Sequence, residues 1–370
     1  MCLEVLQVKK LIINIGQEAV VGATFETNGK NKVLERVFEF SVFNYYNNRG
    51  MVDFAKIANA VKKLMPRETR SLDVELILPT HVTSVAYTDT ADAQGEQKDN
   101  KDVRIVTKDV YIGESQTKKI TQKITYNSKL MAQIINAFYK EKINVVKAIS
   151  NVSCYHNFMS VFNKTSEFGD GETKTHVCLV WGANKLCYVF MVGNLPVEIR
   201  TSDLKITDMY NDIAAVGGDL PFHQILKIMD TISLSSRPEV GLLLESTDNQ
   251  IFDGEKTVRV PEAVVDLVKD RFHTFLTDLI HELRTMYDYA GHKYNSGNVY
   301  VCTNSRLVDE CLCKTVSDTF PIEYLVSDGY VEIYNEKFII KSITEFTDKY
   351  APLLGCIIEN MKKGGDFYDA

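Results

Sequence analysis

The feature that most constrains the fold of this chain is a repeated pattern of apolar strand, glycine turn and second strand. In the first copy, an apolar run at residues 11–13 reaches a turn at Gly16, and small and β-branched residues follow at 19–25. In the second copy, an apolar run at residues 176–181 reaches a turn at Gly182. Short apolar runs bounded by glycine are typical of buried strands, and self-similarity indicates a duplicated unit. The sequence therefore predicts a mixed α/β protein in two related halves.

Composition and charge exclude several classes of protein. The chain has 370 residues, of which 45% are hydrophobic and 25% charged, enough apolar side chains for two or three packed units. Its formal net charge is -7 and its basic residues are scattered, which argues against a nucleic-acid partner. No apolar run approaches the roughly 20 residues of a membrane-spanning helix. The first residues lack the order of a secretory signal and the cysteines form no Cys-x-x-Cys pair, so we expect a cytoplasmic protein with reduced thiols.

The order of patterns along the chain predicts four structural parts. The first core is followed by a polar segment at residues 88–102, then by two strand patterns and a helix from Ser128. After the second core, a helical block contains a long helix that begins at Pro261. The predicted bounds are a first core at 1–85 and 150–175, an inserted small α+β subdomain at 86–149, a second core at 176–205 and 297–370, and a mostly helical subdomain at 206–296.

Four short segments lie where predicted strands end or helices begin. Small or polar residues in these segments suit tight turns, and two of the segments contain the repeated glycines. The candidate site residues in them are Asn14, Gly16, Gln17, Gly182, Ala183, Gly217, Gly218, Asp219, Thr303 and Asn304. Taken alone, Asn14-Ile15-Gly16 is a common strand-to-turn tripeptide, and Asp219 also suits the N-cap of the following helix. The repetition of the glycine turn is what indicates a shared site.

The two strand, glycine and strand cores, each followed by helices, resemble the actin-like superfamily. Their internal order is most similar to the type IV pilus assembly protein PilM family and its relative FtsA, and the resemblance covers nearly the whole chain. It implies an actin-like, ribonuclease H-like core duplicated in two lobes. The insertion at residues 86–149 stands where PilM and FtsA carry an extra subdomain in the first lobe.

The resemblance also implies a role for each candidate site residue. Residues 13–18 stand at the first phosphate loop, residues 180–184 at the second, and residues 302–306 at the turn beside the adenosine. Gly217-Gly218-Asp219-Leu220 is similar to the glycine, acid and leucine signature of the second lobe. ATP with Mg²⁺ is the cofactor that these roles imply.

The residues at these loops depart from the family pattern in ways that bear on chemistry. Gly16 and Gly182 still let backbone N–H groups approach phosphates. In the family, an aspartate two residues before each glycine holds hydrated Mg²⁺, because a hard cation prefers carboxylate oxygens. Asn14 and Val180 stand there instead, and Thr303-Asn304 replaces a Gly-Gly pair. The sequence therefore predicts weak or no ATP binding, no catalytic residue and no ATP hydrolysis.

Histidine and cysteine pairs elsewhere give no reason to expect a metal site. His273 and His281 are two turns apart on the predicted long helix and lack the i, i+4 spacing of a metal pair. Cys311 and Cys313 are two residues apart and do not share a helical face. We therefore assign no metal ligand.

The resemblance implies a cytoplasmic actin-like scaffold of a type IV pilus or related secretion system. Such a protein binds the short N-terminal cytoplasmic peptide of a membrane-anchored PilN-like partner, which recruits it to the inner face of the cytoplasmic membrane. The peptide groove lies beside the inserted subdomain. By resemblance, residues 76–79, residues 103–111 and the helix with Ile134 and Phe138 stand near that groove.

Two alternative functions stay open at this point. An ATP-dependent, FtsA-like filament or nucleotide-switch protein would need affinity for Mg²⁺ and ATP despite Asn14 and Val180. FtsA-like proteins usually end in an amphipathic membrane-binding helix, whereas residues 362–370 are broken by glycine and acidic at their end, which favours the scaffold. A sugar or acid kinase is disfavoured because no catalytic acid facing the cleft can be named.

Overall fold

The computed structural model describes most of the chain. The described ranges are 8–28, 31–89, 102–110, 120–165, 175–180, 185–192, 195–217, 220–230, 232–237, 241–246, 250–253, 256–294, 299–303, 330–333, 336–341 and 350–363. The strands in these ranges are β1 (Val8–Ile15), β2 (Ala19–Asn28), β3 (Asn31–Ser41), β4 (Val74–Leu78), β5 (Thr83–Asp89), β6 (Val103–Val110), β7 (Ile120–Asn127), β8 (Val145–Ser150), β9 (Thr175–Val180), β10 (Cys187–Val192), β11 (Leu195–Thr201), β12 (Ile232–Arg237), β13 (Gly241–Ser246), β14 (Gln250–Asp253), β15 (Lys256–Arg259), β16 (Val299–Thr303), β17 (Tyr330–Ile333) and β18 (Glu336–Lys341). The helices are α1 (Phe54–Leu64), α2 (Ser128–Lys140), α3 (Asn151–Thr165), α4 (Ile206–Gly217), α5 (Phe222–Asp230), α6 (Glu262–Tyr294) and α7 (Ala351–Lys363), with short 3-10 turns at Phe43–Tyr45 and Arg67–Thr69.

The first core is a mixed sheet whose described strands lie in the order β17-β18-β3-β2-β1-β4-β8. β1, β2 and β3 form an antiparallel meander, whereas β4 lies parallel to β1 and β8 lies parallel to β4. Every residue of β4 is buried, as expected of a parallel strand covered on both faces. The centre of this sheet is therefore the interior of the first lobe.

The second core repeats this arrangement, with described strands in the order β11-β10-β9-β16. β9, β10 and β11 form an antiparallel meander, and β16 lies parallel to β9. In both cores the first strand of the meander is flanked by the second strand on one side and by a later parallel strand on the other. This shared order confirms the predicted duplication. The four-stranded sheet is the core of a second lobe.

The inserted subdomain is an antiparallel sheet in the order β5-β7-β6, followed in the chain by α2. The predicted pair of strands and the helix from Ser128 are confirmed. β5 was missed, although Thr83, Val85 and Tyr87 are buried at the period of two that is typical of a strand. β8 lies within the predicted bounds of the insertion but pairs with β4 of the first core.

The C-terminal segments return to the first core. We expected residues 297–370 to continue the second core, and β16 does so, but β18 pairs in parallel with β3 of the first sheet. α7 packs against α3, and a Cβ at Gly355 would lie 1.8 Å from the Cys154 carbonyl oxygen. The two helix backbones can approach this closely because residue 355 has no side chain.

The block at residues 206–296 contains α4, α5 and α6 but also two antiparallel hairpins, β12 with β13 and β14 with β15. It is thus less uniformly helical than predicted. Ile232-Ser233-Leu234-Ser235 alternates apolar and polar residues, which is a strand pattern, but it stands between stronger helical patterns. Within the described ranges, no helix combines the length and the apolar character needed to cross a bilayer.

Two apolar clusters cover opposite faces of the sheets. One contains Leu11 and Val177 and packs against α1, α2 and α6. The other contains Ile12 and Val180 and includes residues of α3 and α7. Each cluster therefore contains side chains from both lobes. The second cluster includes the two residues that pair in register with Asn14, namely Val21 and Ile77.

Candidate functional site

The first glycine turn joins β1 to β2. The Gly16 N–H donates to the Ala19 carbonyl at 3.0 Å. A Cβ at Gly16 would lie 2.9 Å from that carbonyl oxygen, which is closer than real Cβ atoms come, so the turn requires a residue without a side chain. The tightness of the turn is by itself enough to explain this glycine.

Asn14 lies in β1, two residues before Gly16, and is only 1% exposed. It pairs in register with Val21 of β2 and Ile77 of β4, and both of these belong to the apolar cluster that contains Val180. Val180 holds the equivalent place at the end of β9 and is fully buried. The two positions that carry metal-binding carboxylates in the resembled family are therefore both enclosed and both uncharged.

Gln17 is buried at the same turn and is held by Tyr46. The Tyr46 hydroxyl lies 3.3 Å from the Gln17 carbonyl and 3.2 Å from Gln17 Oε1, and it donates to these acceptors. Burial raises the pKa of Tyr46, and the Glu18 carboxylate adds to the effect, so the phenol stays protonated as a donor. Sequence reasoning did not single out Tyr46, although its aromatic and asparagine-rich run at residues 43–48 was a visible signal.

Tyr46 also connects the first turn to the second lobe. The rings of Tyr46 and Phe222 meet edge to face with centroids 5.9 Å apart, and the Phe222 N–H donates to Asn48 Oδ1 at 3.5 Å. Phe222 begins α5, and Gly217 ends α4, whereas residues 218–219 of the predicted signature lie outside the described residues. The structure thus brings Gln17 close to the helix that follows the signature.

The second glycine turn, with Gly182 and Ala183, lies outside the described residues, so its predicted role stays a prediction. Its C-terminal flank, Lys185, joins the two lobes. The Lys185 carbonyl accepts from Thr80 Oγ1 at 3.3 Å, and Lys185 Nζ donates to the Thr83 carbonyl at 3.3 Å. The chain beside the second glycine turn therefore contacts the first lobe directly, whereas the first turn reaches the second lobe through Tyr46.

His81 lies in this junction between Thr80 and Thr83. Its Nε2 atom is buried and has no hydrogen-bond partner among the described residues. Burial lowers the pKa of His81 to about 4, and the positive charge of Lys185 adds to the effect. The imidazole is therefore neutral near pH 7. Protonation would place a buried positive charge near Lys185 and would destabilise the contact between the lobes.

The predicted adenosine-side turn is described only at its start. Thr303 ends β16 and pairs in register with Leu179 of β9, one residue before Val180. The backbone of Thr303 therefore lies at the carboxyl end of the second core, where the second glycine turn begins. Asn304 lies outside the described residues, and its role stays a prediction.

The chemistry of the described site residues does not fit a family-type magnesium site. Asn14 has a neutral amide oxygen, and Val180 has no atom that a metal ion can use. A hard divalent cation needs several oxygen ligands and usually carboxylates among them. Neither position therefore provides the carboxylate that such a magnesium site needs.

Comparisons with known proteins give similarity at the level of structure. A scan against protein-family models finds no match, and a search of curated proteins finds none. A chain of the PilM-PilN type IV pilus biogenesis complex is similar with a TM-score of 0.59 and 12% identity, and the alignment covers 95% of this chain and 98% of that one.

Two further solved structures are similar over most of their length. MreB 5 of Spiroplasma citri bound to AMPPNP gives a TM-score of 0.43 and 12% identity, covering 96% of this chain and 97% of that one. The ethanolamine utilization protein EutJ from Carboxydothermus hydrogenoformans gives 0.41 and 10%, covering 95% and 89%. These two scores are too low to add to the first comparison. The repeated strand order, together with the first comparison, shows that this chain has the actin-like ATPase fold, with a duplicated core in two lobes.

Proposed function

We propose that this chain is an actin-like scaffold that helps to assemble a type IV pilus or a related secretion system at the inner face of the cytoplasmic membrane, without hydrolysing ATP. The observation that carries the proposal is the enclosed and uncharged state of Asn14 and Val180. An actin-like ATPase needs carboxylates at these positions to hold Mg²⁺. A fold of this class that lacks them is better suited to binding a protein than to turning over a nucleotide.

The proposed ligand is a short cytoplasmic peptide of a membrane-anchored, PilN-like partner. Support comes from the similarity, along 95% of this chain, to a chain of the PilM-PilN complex. Ile134 and Phe138, which we expected near the groove, are fully buried and are out of reach of a ligand. On the same helix, Ile135 is 38% exposed and Tyr139 is 73% exposed. An exposed tyrosine beside an apolar neighbour is a typical anchor for a protein partner.

Binding of a labelled N-terminal peptide from a PilN-like protein, followed by fluorescence anisotropy, tests this proposal. We expect saturable binding in the micromolar range, and we expect Tyr139→Ser to weaken it by about tenfold because aromatic anchors dominate such interfaces. Val216→Ser is the matched control, since Val216 is 66% exposed on α4 of the second lobe. Absence of saturable binding at high micromolar peptide, or an equal loss in both variants, would contradict the proposal.

A nucleotide-switch protein, related in function to FtsA filaments, is the second candidate. The contact between Tyr46 and Phe222 favours it, because this contact couples the first turn to the second lobe. Titration with Mg²⁺ and ATP distinguishes the two candidates. Binding is monitored by calorimetry and by the fluorescence of Trp181, which stands next to Val180 in the sequence. The scaffold proposal expects no turnover and no saturation below millimolar ATP. Micromolar binding with phosphate release would favour the switch.

A further inference from the structure

The inserted subdomain differs from the rest of the chain in charge. Residues 86–149 contain eleven Lys and Arg residues against eight Asp and Glu residues, a formal charge of +3. The chain as a whole carries -7, so the remaining residues together carry -10. A basic subdomain on an acidic protein attracts partners of negative charge to that subdomain.

β6 is an edge strand of this subdomain. It pairs with β7 on one side, and no strand in the described part of the chain pairs with its other side. Every second residue of such a strand directs its N–H and C=O groups away from the paired strand. The opposite edge, β5, instead lies against β11 of the second core. The β6 edge is thus the side of the sheet to which another strand can be added.

Two exposed side chains at the start of β6 are a basic one, Arg104, and an apolar one, Val106. Arg104 pairs in register with Tyr126, and Val106 pairs with Ile124, so Arg104 and Val106 share one face of the sheet. Val106 is 47% exposed, and Arg104 is exposed and forms no ion pair with another described residue. Arg104 disfavours pairing with a second basic strand and favours a strand that places an acidic residue opposite it.

We infer that the β6 edge binds an extended, acidic segment of a partner protein by strand addition. The segment places an acidic residue opposite Arg104 and an apolar residue, two positions away, opposite Val106. Backbone hydrogen bonds supply affinity, and these two cross-strand pairs supply specificity. The inference uses neither the glycine turns nor the exposed residues of α2 and is tested with different peptides and variants, although residues 103–111 also stand near the groove that the resemblance implies.

A pair of synthetic peptides tests the inference on the full chain. In one labelled peptide, of about ten residues, glutamate and valine alternate on one face and threonine occupies the other, as a strand requires. In the matched peptide, lysine replaces glutamate. We expect saturable anisotropy changes with the acidic peptide and at least about tenfold weaker binding of the basic one. Amide hydrogen exchange at residues 103–110 is expected to slow when the acidic peptide is bound.

Charge reversal on β6 provides the decisive variant. Arg104→Glu is expected to weaken the acidic peptide by at least about tenfold and to improve binding of the basic peptide, an exchange of preference that unfolding cannot produce. Arg284→Glu, at an exposed position of α6, is the control and is expected to leave both affinities unchanged. Equal affinity for the two peptides, no saturable binding of the acidic peptide, or unchanged exchange at residues 103–110 would overturn the inference.

Discussion

The two cores share one backbone plan but differ at the residue on which actin-like chemistry depends. The first core has Asn14 two residues before its glycine, and the second core has Val180 at the equivalent place. Both side chains are buried, and strand order and direction are the same around them. Backbone hydrogen bonds and apolar packing stabilise this shared strand arrangement, so it persists without the carboxylates. The fold and the chemistry of its turns are therefore separable.

The cores also differ in how a paired carboxylate is held in each of them. In the first core, Glu75 of β4 accepts from Lys10 Nζ at 2.9 Å and from Asn360 Nδ2 of α7 at 2.6 Å, in a nearly closed interior. Burial by itself would raise the pKa of Glu75, but these donors outweigh it and lower the pKa. This cluster ties α7 to the centre of the first sheet.

In the second core, Glu198 of β11 forms a cluster nearer the surface. It accepts from Lys293 Nζ of α6 at 2.6 Å and from Arg200 Nε at 2.8 Å, and Arg200 lies 3.7 Å from the centroid of the Tyr289 ring. Burial by itself would raise the pKa of Glu198, but the hydrogen bonds from Lys293 and Arg200 outweigh it and lower the pKa to about 2. Water screens this cluster more than the cluster around Glu75.

The largest expected effect is at the contact between α3 and α7, beside the first core. Gly355→Ala places a Cβ where the Cys154 carbonyl oxygen now lies, so the helices must separate, and we expect a loss of at least about 4 kcal/mol in the free energy of unfolding. Urea denaturation measures it. Gly16→Ala is the comparison, because its Cβ would lie 2.9 Å from a carbonyl oxygen, a less severe overlap, at a turn between two strands rather than between two helices. Equal losses would contradict this assignment.

The second prediction exchanges the residues that distinguish the two turns. Val180→Asp buries an unpaired carboxylate in an apolar cluster, and we expect it to lower the free energy of unfolding by about 3 kcal/mol. Asn14→Asp is expected to lower it less, because a polar group already occupies that site. Val180→Thr controls for the change in shape. The comparison of the cores fails if Val180→Asp is tolerated as well as Val180→Thr in thermal unfolding.

The third prediction compares the two carboxylate clusters. Glu75→Gln leaves Lys10 without its buried partner, and we expect a loss of about 3 kcal/mol in the free energy of unfolding. Glu198→Gln is expected to cost only about 1 kcal/mol, because its partners are half exposed. Adding Lys10→Met to Glu75→Gln should recover part of the first loss, since no charge is then left unpaired. A larger loss for Glu198→Gln in urea denaturation would reverse the comparison.

The expected effect that is smallest at neutral pH concerns the junction between the cores. The pKa of His81 falls from 6.5 to about 4 on folding, so between these values the unfolded chain binds a proton that the folded chain does not. Stability from this group is complete above about pH 6.5 and is lost as the pH falls towards 4, by about 2 kcal/mol at pH 5. His81→Gln should remove this slope.

The two carboxylate clusters provide the internal reference for that measurement. The pKa values of Glu75 and Glu198 are lowered on folding, so their contributions are present above their usual value near 4.5 and are lost only as the pH falls below it. A series of unfolding curves from pH 7 to pH 3 separates the two windows. If the free energy of unfolding of His81→Gln falls with the same slope between pH 6.5 and 4.5 as that of the unchanged protein, His81 is not the source of this pH dependence.

Much of the framework could be predicted because it is encoded locally. The periods of α1 and α2, and the apolar strands β1 and β9, were visible without long-range information. β5 was missed because its alternation is short and joins a polar segment, and the hairpins of the second lobe were hidden by neighbouring helical patterns. At the candidate site, the sequence identified Asn14, Gly16 and Gln17, but Tyr46 and His81 carry no motif.

The sequence by itself determined the duplicated cores, the first glycine turn, the inserted subdomain and the loss of charge at positions 14 and 180, because periodicity and residue type report these directly. Only the tertiary structure decided that β17, β18 and α7 return to the first core, and that Tyr46 meets Phe222 across the lobes. It also decided that β6 pairs with β7 alone among the described strands. These features depend on contacts between residues far apart in the chain, and no local pattern encodes which distant partner a strand or ring will find.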